Sequence, residues 1–227
     1  MVIAIPMALL ILALIVAPRL WILSVLRRHA GERPDFLRTG GEFARHVLDG
    51  MKLFAVKVEE TERGDHYHPL AKAVRLAPEH FYGRSLTAIV IAAHEVGHAM
   101  QDATGYVPLV KRTQIAGLAD FVHKIGAVVV LASPAIAALM RTPAGLEIGI
   151  GAGILSSVAA VVMHVFTLPV EFDASFNRAL LVLKEGRFIP AEDLGAARHI
   201  LAAAAYTYVA SALIDIINLP RWIRGLW

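Results

Sequence analysis

The sequence predicts a mainly α-helical membrane protein with a small α+β lobe outside the bilayer. Of its 227 residues, 57% are hydrophobic, which exceeds the share usual in soluble domains. The apolar residues fall in long runs at 2–26, about 125–140 and 144–169. Runs of about twenty apolar residues are typical of transmembrane helices. Residues 29–84 are charged and mixed instead, and therefore predict the extramembrane lobe.

The first apolar run is predicted to be a membrane anchor. It is interrupted only by Arg19, and it lacks both the basic start and the A-x-A-like cleavage site of a signal peptide. We therefore expect an uncleaved anchor helix at 1–28. The rest of the chain, 29–227, is predicted to form one domain with a membrane hairpin inserted at 125–169.

The lobe is predicted to hold one helix and two strands. Thr39 and Glu42 have capping-box spacing before a helix of roughly 42–53. Residues 54–60 alternate in hydrophobicity, and 72–76 form a second short segment, so both are predicted strands. The second is either an edge strand that could bind an extended peptide or an internal strand of the sheet.

Three further helices are predicted outside the hairpin. Ser85 can cap a largely apolar helix that runs to about residue 102. After the hairpin, helices are expected at 171–183 and at about 191–217. The last of these either crosses the bilayer or lies in the protein core.

The second hairpin helix carries a row of small residues. They recur at intervals of four and are Gly145, Gly149, Gly153 and Ser157. Such a row lets another helix approach closely, so it predicts the helix contact within the hairpin.

The motif His94-Glu95-Val96-Gly97-His98 lies in the predicted apolar helix. Residues four apart share a helix face, so His94 and His98 can bind one metal ion while Glu95 reaches a water on it. Cysteine is absent, so a zinc ion would be held by histidine and carboxylate alone. Gly97 lowers helix stability by about 1 kcal/mol relative to alanine, and we expect it to permit close packing.

A catalytic zinc ion has three protein ligands and an open position for water. Glu171 is the preferred third ligand, because it directly follows the two hairpin crossings and so returns to the side of His94 and His98. One zinc ion per chain is expected. The other candidates are the acidic and histidine residues after the motif: Asp102, Asp120, His123, Glu147, His164, Asp173, Glu185 and His199.

Four segments carry a family resemblance: 92–101 (AAHEVGHAMQ), 171–175 (EFDAS), 65–67 and 207–210. Through them the sequence resembles the YugP-like neutral zinc metallopeptidase family of bacterial membranes. The resemblance implies a zinc metallopeptidase domain at 29–227 with catalytic Glu95 and the metal ligands His94, His98 and Glu171. The plan is also similar to HtpX-type membrane peptidases, but those carry aspartate where Ser175 stands.

Helical geometry suggests supporting residues around the third ligand. On an α-helix, Ser175 and Arg178 share the face of Glu171, whereas Asp173 points almost opposite. Ser175 is therefore expected to hydrogen-bond a metal ligand. Asp173 is expected to be structural, either capping a helix or pairing with a nearby base. Arg178 is either part of the site or a solvated charge.

The implied mechanism is metal-assisted hydrolysis. Zinc lowers the pKa of its water towards about 7, Glu95 accepts the proton, and the leaving amine later receives it. The oxyanion needs a further donor, for which the candidates are Tyr208, Tyr206, His199 and His66. Only the family resemblance places Tyr208 first among these candidates. The other histidines are expected to be structural or at the surface: His46, His68, His80, His123 and His164.

Basic residues cluster on one side of the proposed crossings. The positive-inside rule then predicts a multi-pass protein of the bacterial inner membrane, with the metal helix on the cytoplasmic side. The predicted function is a membrane-anchored zinc endopeptidase. Its expected partners are a polypeptide substrate from in or near the membrane and the lipid bilayer, with no nucleic acid. The alternatives are a metal-binding, non-proteolytic membrane scaffold and a transporter component.

Overall fold

The computed structural model describes residues 16–18, 20–206 and 209. These residues form two compact units. The first comprises the described residues up to Tyr106 and from Pro169 to 206, and the second comprises Val107–Leu168 with residue 209. The described chain is mostly helical and contains one small sheet.

The helices and strands follow one another with short connections. Helix α1 covers 16–18 and 20–28. It is followed by α2 (Gly40–Gly50), β1 (Lys57–Glu60), β2 (His66–His68), β3 (Ala73–Leu76), α3 (Pro78–Phe81), α4 (Leu86–Ala103), α5 (Val107–Met140), α6 (Ala144–Phe172), a π-helix (Asp173–Ala179) and α7 (Leu180–Glu185). A 3-10 turn at Ala191–Asp193 leads into α8 at 194–206.

The sheet has the strand order β1-β3-β2. Strand β3 pairs in parallel with β1 and antiparallel with β2, so Ala73 lies between Lys57 and His68. Of the two alternatives for residues 72–76, the internal strand is therefore confirmed and the edge strand is wrong. Strand β2 was not predicted, because three residues are too few to show an alternating pattern.

Helix α2 is fixed at its start by the predicted capping box. The hydroxyl of Thr39 accepts the Glu42 N–H at 3.2 Å, and the Glu42 carboxylate accepts the Thr39 N–H at 2.8 Å. The helix ends at Gly50, slightly before the expected 53. Phe43 and Leu48 are among the residues of its buried face, which packs against α4.

Helix α4 is the central element of the first unit. The hydroxyl of Ser85 accepts the Ala88 N–H at 3.1 Å, as the capping prediction requires. The helix is buried along nearly its whole length. A Cβ at Gly97 would lie 2.7 Å from the carbonyl oxygen of Ala174 in the π-helix. The predicted close packing at Gly97 is therefore confirmed.

The second unit consists mainly of two long apolar helices. Helix α5, and the continuous helix from Ala144 to Glu185 that begins with α6, are each long and apolar enough to cross a membrane. Only 11% of the most apolar window of either helix is buried by protein. Helix α5 begins at Val107 and is therefore much longer than the apolar stretch at 125–140.

The small-residue row brings the two long helices close together. A Cβ at Gly145 would clash with the backbone of Ala137, and one at Gly149 would clash with the side chain of Ser133. Both contacts join α6 to α5, so the predicted helix approach is confirmed at these two positions.

Candidate metal centre

Three buried side chains point their polar atoms at one another. Nε2 of His94 lies 3.2 Å from Oε2 of Glu171 and 3.2 Å from Nε2 of His98. Nε2 of His98 lies 3.4 Å from the same carboxylate oxygen. All three residues are at most 6% exposed. Helix α4 supplies the histidines and the end of α6 supplies the carboxylate. The three side chains come together as expected, but Glu171 lies within a continuous helix from Ala144 to Glu185 and does not begin a separate helix at 171–183.

The orientation of His98 is set by a buried amide, that of Gln101. The amide nitrogen of Gln101 donates to the Val170 carbonyl at 2.8 Å and to the Asp173 carboxylate at 2.9 Å. Both partners are pure acceptors, so the amide oxygen must be the atom that lies 2.9 Å from Nδ1 of His98. Nδ1 therefore carries a proton, which leaves Nε2, the ring nitrogen that faces the centre, as the atom that can bind a metal ion.

His94 is held in a similar way by Ser175. The hydroxyl oxygen of Ser175 lies 3.1 Å from Nδ1 of His94. Its own proton is directed towards the Leu201 carbonyl at 3.5 Å, so the oxygen can accept the Nδ1–H. The second imidazole then also turns an Nε2 lone pair towards Glu171.

Lone pairs that face one another at these distances require a positive charge among them. Two imidazole nitrogens and one carboxylate oxygen form the donor set of a common class of catalytic zinc site, which keeps a fourth position open for water. The three ligand atoms of His94, His98 and Glu171 all lie within 4.8 Å of one another. The residues present therefore fit a zinc ion.

Glu95 lies beside this cluster and is 6% exposed. Burial raises the pKa of its carboxyl to about 7, although His94 opposes the shift. The charges of Glu171 and Asp65 raise the pKa further, and the backbone N–H of Tyr67 in β2 lowers it. A carboxyl with a pKa near neutrality can both accept and return a proton at physiological pH.

The segment after Glu171 is a π-helix, which changes which side chains meet. The guanidinium of Arg178 donates to the Asp173 carboxylate at 2.7 Å, five residues back. The expectation that Asp173 points away from the site is wrong, since it also accepts from Gln101. The wider turn of a π-helix brings residues five apart together, and the α-helical spacing assumed from sequence did not allow for it.

Arg178 is not a solvated charge. Its ion pair with Asp173 is largely buried, with side-chain exposures of 16% and 14%. The guanidinium carbon also lies 5.6 Å from the ring centre of Tyr106. The expected pairing of Asp173 with a nearby base is therefore confirmed.

Sequence reasoning missed Gln101. It is fully buried and contacts His98, Val170 and Asp173. The available signal was its spacing, because an amide three residues after a ligand lies on the same helix face.

The candidate oxyanion donors are only partly described. Tyr208 lies outside the described residues. Tyr206 is 47% exposed and packs edge-on against Trp21 and Phe172. Nδ1 of His66 donates to the Gly64 carbonyl at 2.8 Å, and His199 is exposed on α8.

Comparison with known proteins agrees with the geometry. A family described as "Putative neutral zinc metallopeptidase" matches residues 2–226. A Bacillus subtilis (strain 168) protein named "Putative membrane protease YugP" is 39% identical over 189 residues, which cover 82% of this chain and 80% of the relative. No solved structure matches the chain. With nearly its whole length matched, and with a buried cluster of two histidines and one glutamate, the chain belongs to this family.

Proposed function

We propose that this protein is a membrane-anchored zinc endopeptidase that cleaves membrane or membrane-proximal polypeptides. One observation carries the proposal: the Nε2 atoms of His94 and His98 and a carboxylate oxygen of Glu171 converge beside buried Glu95. This is the arrangement in which metal-assisted peptide hydrolysis is carried out. The family match supports the reaction class.

In this proposal His94, His98 and Glu171 hold the zinc ion. When bound, zinc supplies a water of lowered pKa and polarises the scissile carbonyl. Ser175 contacts Nδ1 of His94, and Gln101 contacts Nδ1 of His98. These contacts keep the Nε2 atoms of both rings turned towards the ion. The three ligands come from two elements, so the site exists only when α4 and the end of α6 are packed together.

Glu95 is the proton carrier. Its carboxyl has a pKa of about 7 because it is buried, so it can accept the proton of the attacking water and pass it to the leaving amine. Helix α4 thus provides both the metal ligands and the general base.

Membrane attachment is supported by two independent facts. Two helices have the length and hydropathy of membrane spans, and the relative from Bacillus subtilis is named a membrane protease. Together with the basic residues on one side of the proposed crossings, they favour a multi-pass inner-membrane protein with its active site on the cytoplasmic side.

The test is a pair of glutamate-to-glutamine substitutions in detergent-purified protein, assayed with fluorescent casein. Glu95→Gln should keep about one zinc per chain but lower the cleavage rate by roughly 10²–10⁴-fold, because it removes the general base. Glu192→Gln, at an exposed position of the 3-10 turn, is the matched control and should behave like the wild type.

Three outcomes would count against the proposal or a part of it. Equal cleavage by Glu95→Gln and the wild type would show that Glu95 is not the base. A protein that binds zinc but cleaves nothing would favour the non-proteolytic membrane scaffold. Glu171→Ala should bind zinc far more weakly, and tight binding by that variant would remove Glu171 from the ligand set.

A further inference from the structure

The two histidine ligands donate their Nδ1–H groups to neutral partners, Gln101 and Ser175, and these partners differ in how far their own hydrogen bonds extend. Ser175 contacts His94 directly and leads only to a backbone carbonyl. Gln101 contacts His98 and begins a chain of polar side chains that leads through Asp173 to Arg178. Gln101 is fully buried, so each of its polar atoms must be satisfied inside the protein.

The donors and acceptors in this row of hydrogen bonds are fixed by the chemistry of its side chains. Arg178 can only donate, so the carboxylate of Asp173 accepts from it and from the Gln101 amide nitrogen at the same oxygen. The Val170 carbonyl takes the second amide proton. The amide of Gln101 therefore cannot flip without losing two hydrogen bonds, and its oxygen stays directed at His98.

We propose that Gln101 is a positioning residue for the metal centre: it holds the proton of His98 on Nδ1 and thereby keeps the Nε2 lone pair aimed at Glu171. Asp173 and Arg178, which lie in the π-helix, hold the amide in that orientation. The inference rests on the proposed function, since it assigns Gln101 a role towards the zinc ion.

Two substitutions of similar volume separate this role from simple packing. Gln101→Met removes the acceptor for His98, and we expect zinc affinity to fall by about 10–100-fold, as for other residues that orient ligands. Gln101→Glu keeps an acceptor for His98 but places a carboxylate against Asp173 and the Val170 carbonyl. We expect Gln101→Glu to retain zinc affinity within a few-fold of wild type. We also expect it to lower the thermal stability of the metal-free protein more than Gln101→Met does.

The matched control is Asn177→Ala. Asn177 donates to the other oxygen of Asp173 from an exposed position, so its loss leaves Gln101 in place. Zinc affinity of this variant should stay within about 2-fold of wild type, far from the loss expected of a ligand-orienting residue. Zinc affinity would be measured by competition with a chromophoric chelator, and the visible spectrum of the cobalt-substituted protein would report ligand geometry.

The outcomes distinguish this inference from the proposed function. If wild type binds zinc and Gln101→Met binds it equally well with an unchanged cobalt spectrum, Gln101 is only structural and the inference is overturned. The inference would also be overturned if the zinc affinities of the variants followed their metal-free stabilities, with Gln101→Glu binding zinc most weakly. A wild type that binds no zinc would overturn the proposed function and the inference together.

Discussion

Asp65 joins two elements of the first unit through one carboxylate. One oxygen accepts the Ala77 N–H at 2.9 Å, which ties β2 to the start of α3, and the other lies 2.8 Å from Nδ1 of His80. Burial lowers the pKa of His80, but the hydrogen bond and charge of Asp65, helped by the charge of Glu79, outweigh burial and leave that pKa raised. The ion pair therefore contributes to stability while His80 is protonated.

This pair predicts a pH-dependent stability. A raised pKa in the folded state stabilises the protein fully below the ordinary histidine pKa of about 6.5 and loses its effect as pH rises through the raised value. The loss of unfolding free energy in His80→Gln should therefore be larger near pH 6 than near pH 9. Thermal unfolding in detergent would measure it, with His199→Gln as an exposed control; equal losses at both pH values would contradict the prediction.

The proposed oxyanion donor can be tested against its near neighbour. Tyr208→Phe removes only the hydroxyl, and if that group binds the oxyanion, kcat should fall by roughly 10²-fold with little change in KM. Tyr206→Phe is the matched control two residues away, on a ring that packs against Trp21 and Phe172. A larger loss in Tyr206→Phe would transfer the role to that residue.

Helix α4 and the π-helix pack backbone against backbone beside the site. A Cβ at Gly97 would also lie 3.3 Å from two further backbone atoms of Ala174. Backbone cannot rotate out of the way as a side chain can. Any residue larger than glycine must therefore push the helix of His94 and His98 away from the helix that carries Glu171.

Gly97→Ala should accordingly weaken zinc binding and lower stability, by roughly 1–3 kcal/mol for an overpacked contact. The control is Gly195→Ala in α8, where a new Cβ would meet nothing within 4 Å. That change should be neutral or stabilising by up to about 1 kcal/mol. Calorimetry of both variants with and without zinc would check the prediction, and equal behaviour of the two would contradict it.

Local patterns predicted well what depends on neighbours in sequence. The capping residues Thr39 and Ser85 start α2 and α4 because a side-chain hydroxyl satisfies nearby backbone N–H groups. Counting the two proposed membrane crossings predicted that Glu171 lies on the same side as the two histidines. What the sequence did not show depends on distant contacts. These are the π-helix in which Asp173 pairs with Arg178, and the two hydrogen bonds that the Gln101 amide nitrogen donates to Val170 and Asp173, about seventy residues away.

For the whole molecule, the apolar surface of α5 and α6 is the dominant feature. Large side chains such as Leu131 and Leu139 are more than 80% exposed to their surroundings. Contiguous apolar surface of this length is rarely left to water. A lipid bilayer is the environment that such a surface fits, and the proposed topology places the metal centre on the cytoplasmic side of it.

The absence of cysteine makes this topology directly testable. Leu70→Cys places a thiol at a position of the first unit that is 84% exposed, and Thr142→Cys places one in the turn between α5 and α6. A membrane-impermeant maleimide should label Thr142→Cys in intact spheroplasts and Leu70→Cys only in inside-out vesicles. The reverse pattern would place the metal centre on the outer side.

His94 and Glu171 are 77 residues apart in the chain, and the two long apolar helices are made in the interval. A ribosome working at about 5–20 residues per second takes roughly 4–15 s to cover that distance. Until it has done so, the two histidines emerge without their carboxylate partner. In the proposed zinc enzyme, complete metal loading would therefore follow synthesis of both long helices, and metal content would measure how many chains have finished assembly.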